Sequence, residues 1–155
     1  MEPHAPYPSK VIANEFIRLA QKNGGLTHLQ IQKLVYFAHV ESLGKHDKPL
    51  VRRLFRAWSF GPVDLEIYSE FRGSGKRKIK EEIRYVGDTI DESSKCLIKE
   101  VYKEYGDKTG WELSEMSHDT TSYLGHPWAE VYQKGETGIL IPNEEIKKCY
   151  HEMKS

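Results

Sequence analysis

The chain has 155 residues, of which 38% are hydrophobic and 30% charged, and its 23 basic residues balance 23 acidic ones. At this length one domain hides roughly 70% of its unfolded surface, so no disulfide or metal staple is required. A net charge of zero excludes a global field for holding nucleic acid or anionic membrane, and the longest strongly apolar run, Leu34 to Ala38, is far too short to span a bilayer.

Residues 1–8 carry three prolines and no apolar stretch of a signal peptide, and they read as a flexible lead-in to a single domain over 9–155. Ser9 is placed to cap a first helix with Ile12, Phe16, Leu19 and Ala20 on one face, stopped by Asn23-Gly24-Gly25. Thr27 with Gln30 gives a capping-box signal for a second helix to about Leu43, with Gly44 as its stop. Ile31, Leu34, Val35 and Ala38 sit at core spacing, and Tyr36, Phe37 and Val40 make the helix apolar nearly all round. It is therefore predicted to be the central, most enclosed helix.

Lys45 to Pro49 reads as a polar loop, and Leu54 to Phe60 as an extended segment or short strand. Gly61-Pro62 is predicted to open a helix with the stripe Val63, Ile67 and Phe71, ended by Gly73-Ser74-Gly75. Lys76 to Val86 fits a short helix or an irregular segment equally well. Asp88 or Asp91 starts the next helix, with Ile90, Leu97, Ile98, Val101, Tyr102 and Tyr105, closed by Gly106. Trp111, Leu113 and Met116 belong to a shorter helix, and Pro127 to Gln133 makes one or two turns. Ile139 to Ile141 is a short extended piece, and Pro142 or Asn143 opens the last helix with Ile146, Cys149, Tyr150 and Met153. The fold class is mainly α, a compact single domain with room for one short β pair. Cys96 and Cys149 both fall in helical patterns beside apolar residues, which suits reduced, buried or half-buried thiols of a cytoplasmic protein.

No catalytic kit stands out. Ser117-His118-Asp119 has the letters of a hydrolase triad, but three consecutive side chains cannot converge on one proton path. His118 fits better as an imidazole that bonds orphan carbonyls at a helix end. The spacing of His118 with His126, and of Cys149 with His151, does not make a zinc site. Gly73-Ser74-Gly75-Lys76-Arg77 fails the phosphate-loop pattern, because Glu70 stands at the first glycine position and Arg77 follows the lysine. The basic cluster Lys76, Arg77, Lys78 and Lys80 is balanced at once by Glu81 and Glu82 and reads as a solvated turn, with docking of an acidic partner surface as the alternative. The aromatics Trp58, Phe60, Tyr68, Phe71, Trp111, Trp128 and Tyr132 divide between core and binding surface in a way the letters do not specify.

The ordered set Leu29-Gln-Ile-Gln-Lys-Leu-Val-Tyr-Phe-Ala38, Trp58-Ser-Phe-Gly-Pro-Val63, Tyr68 with Phe71, Leu113, Ser117-His118, Pro127-Trp128 and Ile146 to Tyr150 resembles the Panacea (SocA-like) antitoxin domain, a phage- and prophage-associated family, from about Ser9 to Tyr150. The signature positions are Trp58, Gly61, Pro62, Tyr68, His118, Pro127 and Trp128. Two departures stand out: Phe60 replaces a frequent Tyr or His, and the stretch between His118 and Pro127 is several residues longer.

The resemblance implies an antitoxin without catalytic residues or cofactor, which binds a cognate toxin directly. Toxins paired with the family include alarmone synthetases. A SocA-type member instead acts as an adaptor that delivers its toxin to a ClpXP-type protease. Candidate partner contacts are Lys76, Arg77 and Lys78 in the Gly73–Lys80 turn, and Tyr123 in the Asp119–His126 loop, because loops on a rigid scaffold vary without disturbing its core. Membrane and nucleic acid are not expected partners. The alternatives are an enzyme with a dispersed active site, and a DNA-binding regulator built on the Thr27–Leu43 helix, whose apolar middle and lack of a basic face suit a groove poorly.

Overall fold

The computed structural model describes residues 4–84, 86–87, 89–134 and 139–154. Among them are seven α-helices and a two-stranded antiparallel sheet, the mainly α architecture with one short β pair expected from the sequence. Helix α1 (Ser9–Ala20) turns Ile12, Ala13, Phe16, Ile17 and Ala20 inward. A short 3₁₀ turn follows, and Gly24 ends it at φ 93°, a conformation glycine adopts without strain.

Helix α2 (His28–His46) begins with the expected capping box: Thr27 Oγ1 accepts the Gln30 N–H at 3.2 Å, and Gln30 Oε1 accepts the Thr27 N–H at 2.8 Å. Ile31, Leu34, Val35, Tyr36, Phe37, Ala38 and Val40 are all fully buried. The helix packs against α1, α3 (Leu65–Phe71), α4 (Glu92–Tyr105), α5 (Gly110–Ser117) and α7 (Asn143–Met153). It is the axis of the domain. Gly44 does not stop it. The helix runs one turn further and reverses at Asp47, φ 57°. Gly44 stands inside the helix because the Tyr150 ring lies against it, where a Cβ would overlap the ring. This glycine serves close packing between helices, not termination.

Gly61-Pro62, expected to open a helix, opens none. Strand β1 (Arg56–Trp58) pairs antiparallel with β2 (Gly61–Val63), with Trp58 opposite Gly61 and Ala57 opposite Pro62. α3 starts only at Leu65, where Asp64 Oδ1 caps the Ile67 N–H at 3.0 Å. Gly61 has φ 111°, and a Cβ there would collide with the Ser117 hydroxyl. The close approach of Ser117 therefore requires glycine at this turn of the hairpin. The Ile139–Ile141 segment is extended as expected and lies on the other side of β1: the Ala57 N–H reaches the Ile139 carbonyl at 2.9 Å and the Ile141 N–H reaches the Phe55 carbonyl at 2.8 Å.

In the Lys76–Val86 segment the described residues form no helix. Ile79 bridges antiparallel to Leu26, and the Asn14 side chain brackets the Ile83 backbone at 2.7 and 3.0 Å. Asp91 caps α4 by accepting the Ser94 N–H; the alternative start, Asp88, lies outside the described residues. α5 has a second capping box, Thr109 with Glu112, and α6 (His126–Tyr132) carries Pro127 in its first turn.

Residues 4–8 of the lead-in are tied to the domain. Ala5 and Tyr7 are buried, the Tyr7 N–H donates to the Leu50 carbonyl at 2.8 Å, and its hydroxyl donates to Asp91 at 2.6 Å. A single aromatic with both backbone and side-chain partners is enough to pin a proline-rich strand. Cys149 is buried as expected, but Cys96 is exposed, because Leu97, Ile98 and Val101 form the inward stripe of α4. His39 is a buried hub invisible in the sequence. Its Nδ1 accepts the Leu50 and Val51 N–H groups at 3.2 and 3.3 Å, so Nε2 carries the proton and donates to Asn143 Oδ1 at 2.9 Å. Burial pushes its pKa down to about 4, which keeps the ring neutral. No helix among the described residues is long and apolar enough to cross a membrane.

Candidate functional site: an aromatic cleft over a buried lysine

The first turns of α2 present His28, Leu29, Gln32 and Lys33 to one side. The β1–β2 hairpin faces them with Trp58, Ser59 and Phe60, and α3 adds Tyr68 and Arg72, one turn apart. Together they line a cleft of about 460 Å³, within the usual range for a binding pocket. Trp58 and Tyr68 meet edge to face, 4.9 Å between centroids and 74° between planes, and the His28 ring lies 5.8 Å from Tyr68. A two-way staple holds the wall: Gln32 Nε2 donates to the Asp64 carbonyl at 3.0 Å, and the Asp64 N–H donates to Gln32 Oε1 at 2.8 Å.

Lys33 is fully buried in this wall, and its Nζ donates to the Pro62 carbonyl at 2.8 Å. Burial pushes its pKa down to about 7, and His28 is lowered by burial and then by the charge of Lys33. The lysine reaches the carbonyl of a residue that has no N–H of its own to pair.

The second signature junction stands directly behind the first. Trp128 Nε1 donates to the Trp58 carbonyl at 2.7 Å, its ring stacks on Tyr132 at 4.5 Å and 15°, and His118 lies 5.2 Å away. Both tryptophans are half-buried rather than enclosed. His118 does not act as its imidazole was expected to. The end of α5 is capped by its backbone N–H, 3.4 Å from the Glu115 carbonyl, while the ring packs on Trp128. Ser117 Oγ is buried and donates to the Ser114 carbonyl at 2.8 Å, and Asp119 Oδ1 accepts from Thr121, so the three-residue run is structural. Among the described residues no group of His, Cys, Asp and Glu could hold a metal ion.

The candidate partner contacts fall in two places. Lys76, Arg77 and Lys78 are exposed on the turn that leaves the cleft at Gly75. Tyr123 belongs to another region: its hydroxyl donates to Glu41 at 2.6 Å, its ring meets Tyr150 edge-on at 5.4 Å, and Lys154 Nζ sits 5.2 Å from its centroid. Glu41 lies about 20 Å along α2 from His28. Sequence reasoning missed His28, Lys33 and Arg72 as site residues and did not single out Phe60 and Trp111 as exposed. Those two rings are each 64% exposed. Ser114 Oγ donates to the Phe60 carbonyl at 2.7 Å, and Gly110 packs against Leu29, so the start of α5, which carries Trp111, abuts the hairpin and α2 beside the cleft. The one available sequence signal was Phe60 standing where a polar ring is frequent.

Trp128→Ala is expected to lower stability by about 2–3 kcal/mol, since it removes a stacked ring and leaves the Trp58 carbonyl without its donor. Trp128→Phe should lose about 1 kcal/mol, keeping the stack without the bond. Thermal melts of both variants check this; a Trp128→Ala protein that melts normally but fails to hold its partner would make the residue a surface hot spot instead.

Residues 31–123 match the family described as antitoxin SocA-like, Panacea domain. Antitoxin SocA of Caulobacter vibrioides is 33% identical over 136 residues, covering 79% of this chain and 70% of the relative. No solved structure matches the chain. The matched segment holds most of α2, the Trp58 hairpin, Tyr68 and α5, and ends before Trp128. On this match and this identity, the chain belongs to the SocA-like Panacea-domain family of antitoxins.

Proposed function

We propose that this protein is the antitoxin of a toxin–antitoxin pair and neutralises a co-encoded toxin by binding it directly in the cytoplasm, with no turnover of its own. The observation that supports this most is the cleft with its exposed rim. Phe60, which lines the cleft, is 64% exposed beside the half-buried Trp58 and Tyr68, and Trp111 on the neighbouring helix α5 is equally exposed; exposed aromatics at a pocket are what central contacts of protein interfaces use. A neutral protein that blocks an enzyme most simply covers or distorts its active site through a standard interface of about 1,600 Å². An alarmone-synthetase-like toxin is the partner class that the family resemblance suggests.

The test is co-expression with the adjacent toxic gene. Growth should be rescued, the two proteins should co-purify in fixed stoichiometry, and Phe60→Ala and Trp111→Ala should each weaken the complex by roughly 30-fold, the size of an interface hot spot, while melting as the parent does. Rescue without a complex would point to an enzymatic antitoxin. Rescue that requires a host ClpXP-type protease would favour the adaptor mechanism, and failure to rescue any neighbouring toxic gene would reject the assignment.

A further inference from the structure

The cleft carries a charge that this chain leaves unneutralised. No carboxylate lines it; Lys33 is buried in its wall, and Arg72 is the cation that reaches its mouth. Arg72 is exposed, and its guanidinium makes no hydrogen bond or ion pair among the described residues. The same holds for Lys76, which follows Gly75 at the mouth. The neighbouring acids are engaged elsewhere: Asp64 with Ser9 and the Ile67 N–H, Glu66 with Arg53 at 3.4 Å, and Glu70 with Lys10 at 3.3 Å. The floor between these cations is apolar and aromatic. Trp58 and Tyr68 stand at 74° to each other and His28 is tilted 49° to Tyr68, so these rings do not offer the parallel faces that would sandwich a flat base. A branched or aromatic side chain fits such crossed walls better, and a few cations are too few for the phosphate contacts that sustain nucleic-acid binding at physiological salt.

We propose that the cleft recognises a short acidic segment of a protein partner, seating one apolar side chain among Trp58, Phe60 and Tyr68 and pairing flanking carboxylates with Arg72 and Lys76. This rests on the cleft being the toxin-binding site. The apolar anchor supplies burial, while the two mouth cations supply register and a salt-sensitive association rate.

A fluorescent eight-residue peptide alternating Glu with Leu and Phe, and its counterpart with Lys in place of Glu, test the chemistry without the toxin. The acidic peptide should bind the full chain with an affinity that falls as salt is raised, and the basic one should not bind. The double charge reversal Arg72→Glu/Lys76→Glu should weaken the acidic peptide at least about ten-fold. Equal binding of both peptides, no binding of the acidic one, or indifference to the charge reversal would overturn the proposal. So would capture of a labelled dT oligonucleotide in the peptide's place. With the toxin itself, loss of the complex in Phe60→Ala but not in the charge-reversed protein would reject the acidic segment and keep the site. Survival of the complex in both would reject the site as well.

Discussion

Leu34→Ala is expected to cost about 2–5 kcal/mol of stability and to lower the thermal midpoint by roughly 10 °C. Leu34 has no exposed surface and sits in the middle of α2. That helix is enclosed by α1, α3, α4, α5 and α7, so the space left by the lost side chain is bounded on every side by elements that are themselves packed. Such a site collapses poorly, which places the cost in the upper part of the range. Circular dichroism melts of the two proteins give the number directly. An unchanged midpoint would remove α2 from the core and with it the scaffold that holds the cleft.

Lys33→Met is expected to change how stability depends on pH more than it changes stability at any single pH. The folded chain holds the Lys33 pKa at about 7 through burial, against an ordinary 10.5. Below about pH 7 both the folded and the unfolded chain carry the proton, and the full penalty of a buried ammonium is present. Between about 7 and 10.5 the unfolded chain binds more protons than the folded one, so this residue makes stability rise with pH. The rise amounts to roughly 2–5 kcal/mol across that window. Methionine fills similar volume without a charge, so its pH profile should be flatter over the same interval. The Pro62 carbonyl loses its donor in the variant, which costs about 1–3 kcal/mol independently of pH and offsets part of the gain. Denaturant unfolding of both proteins at pH 7 and pH 10 separates the two effects. Parallel profiles would mean that Lys33 keeps its proton throughout and that the hairpin rests on a permanent buried charge.

Local rules carried the helical reading a long way. The Thr27–Gln30 capping box, the apolar continuity from Ile31 to Val40 and the pinning of Gly24 are properties of neighbouring residues, and all of them appear in the fold. The reading failed where one residue type serves two ends. Glycine at 44 and the Gly61-Pro62 pair look like helix punctuation, yet Gly44 makes room for the Tyr150 ring from far along the chain, and Gly61 makes room for Ser117. No window of sequence contains both partners of either contact. The same limit governed the site. Trp58, Tyr68 and Trp128 could be singled out as large aromatics at chain junctions, but they meet only in the fold, through the ring contact of Trp58 with Tyr68 and the bond from the Trp128 indole to the carbonyl of residue 58.

Lys33 shows the division most sharply. Read along the helix, it is one charged residue in an apolar run, where a lysine usually extends to water. In the folded chain the hairpin closes over it and supplies one carbonyl. By itself the sequence determined most of the helices, the caps at Thr27 and Asp91 and the central place of α2, because these follow from spacing within a few turns; the expected cap at Ser9 does not form, since Ser9 lies inside α1 and its hydroxyl donates to Asp64. Only the tertiary structure decided which cations are buried, which aromatics remain exposed and that two distant junctions share one cleft, because desolvation and close contact are properties of residues brought together from separate parts of the chain.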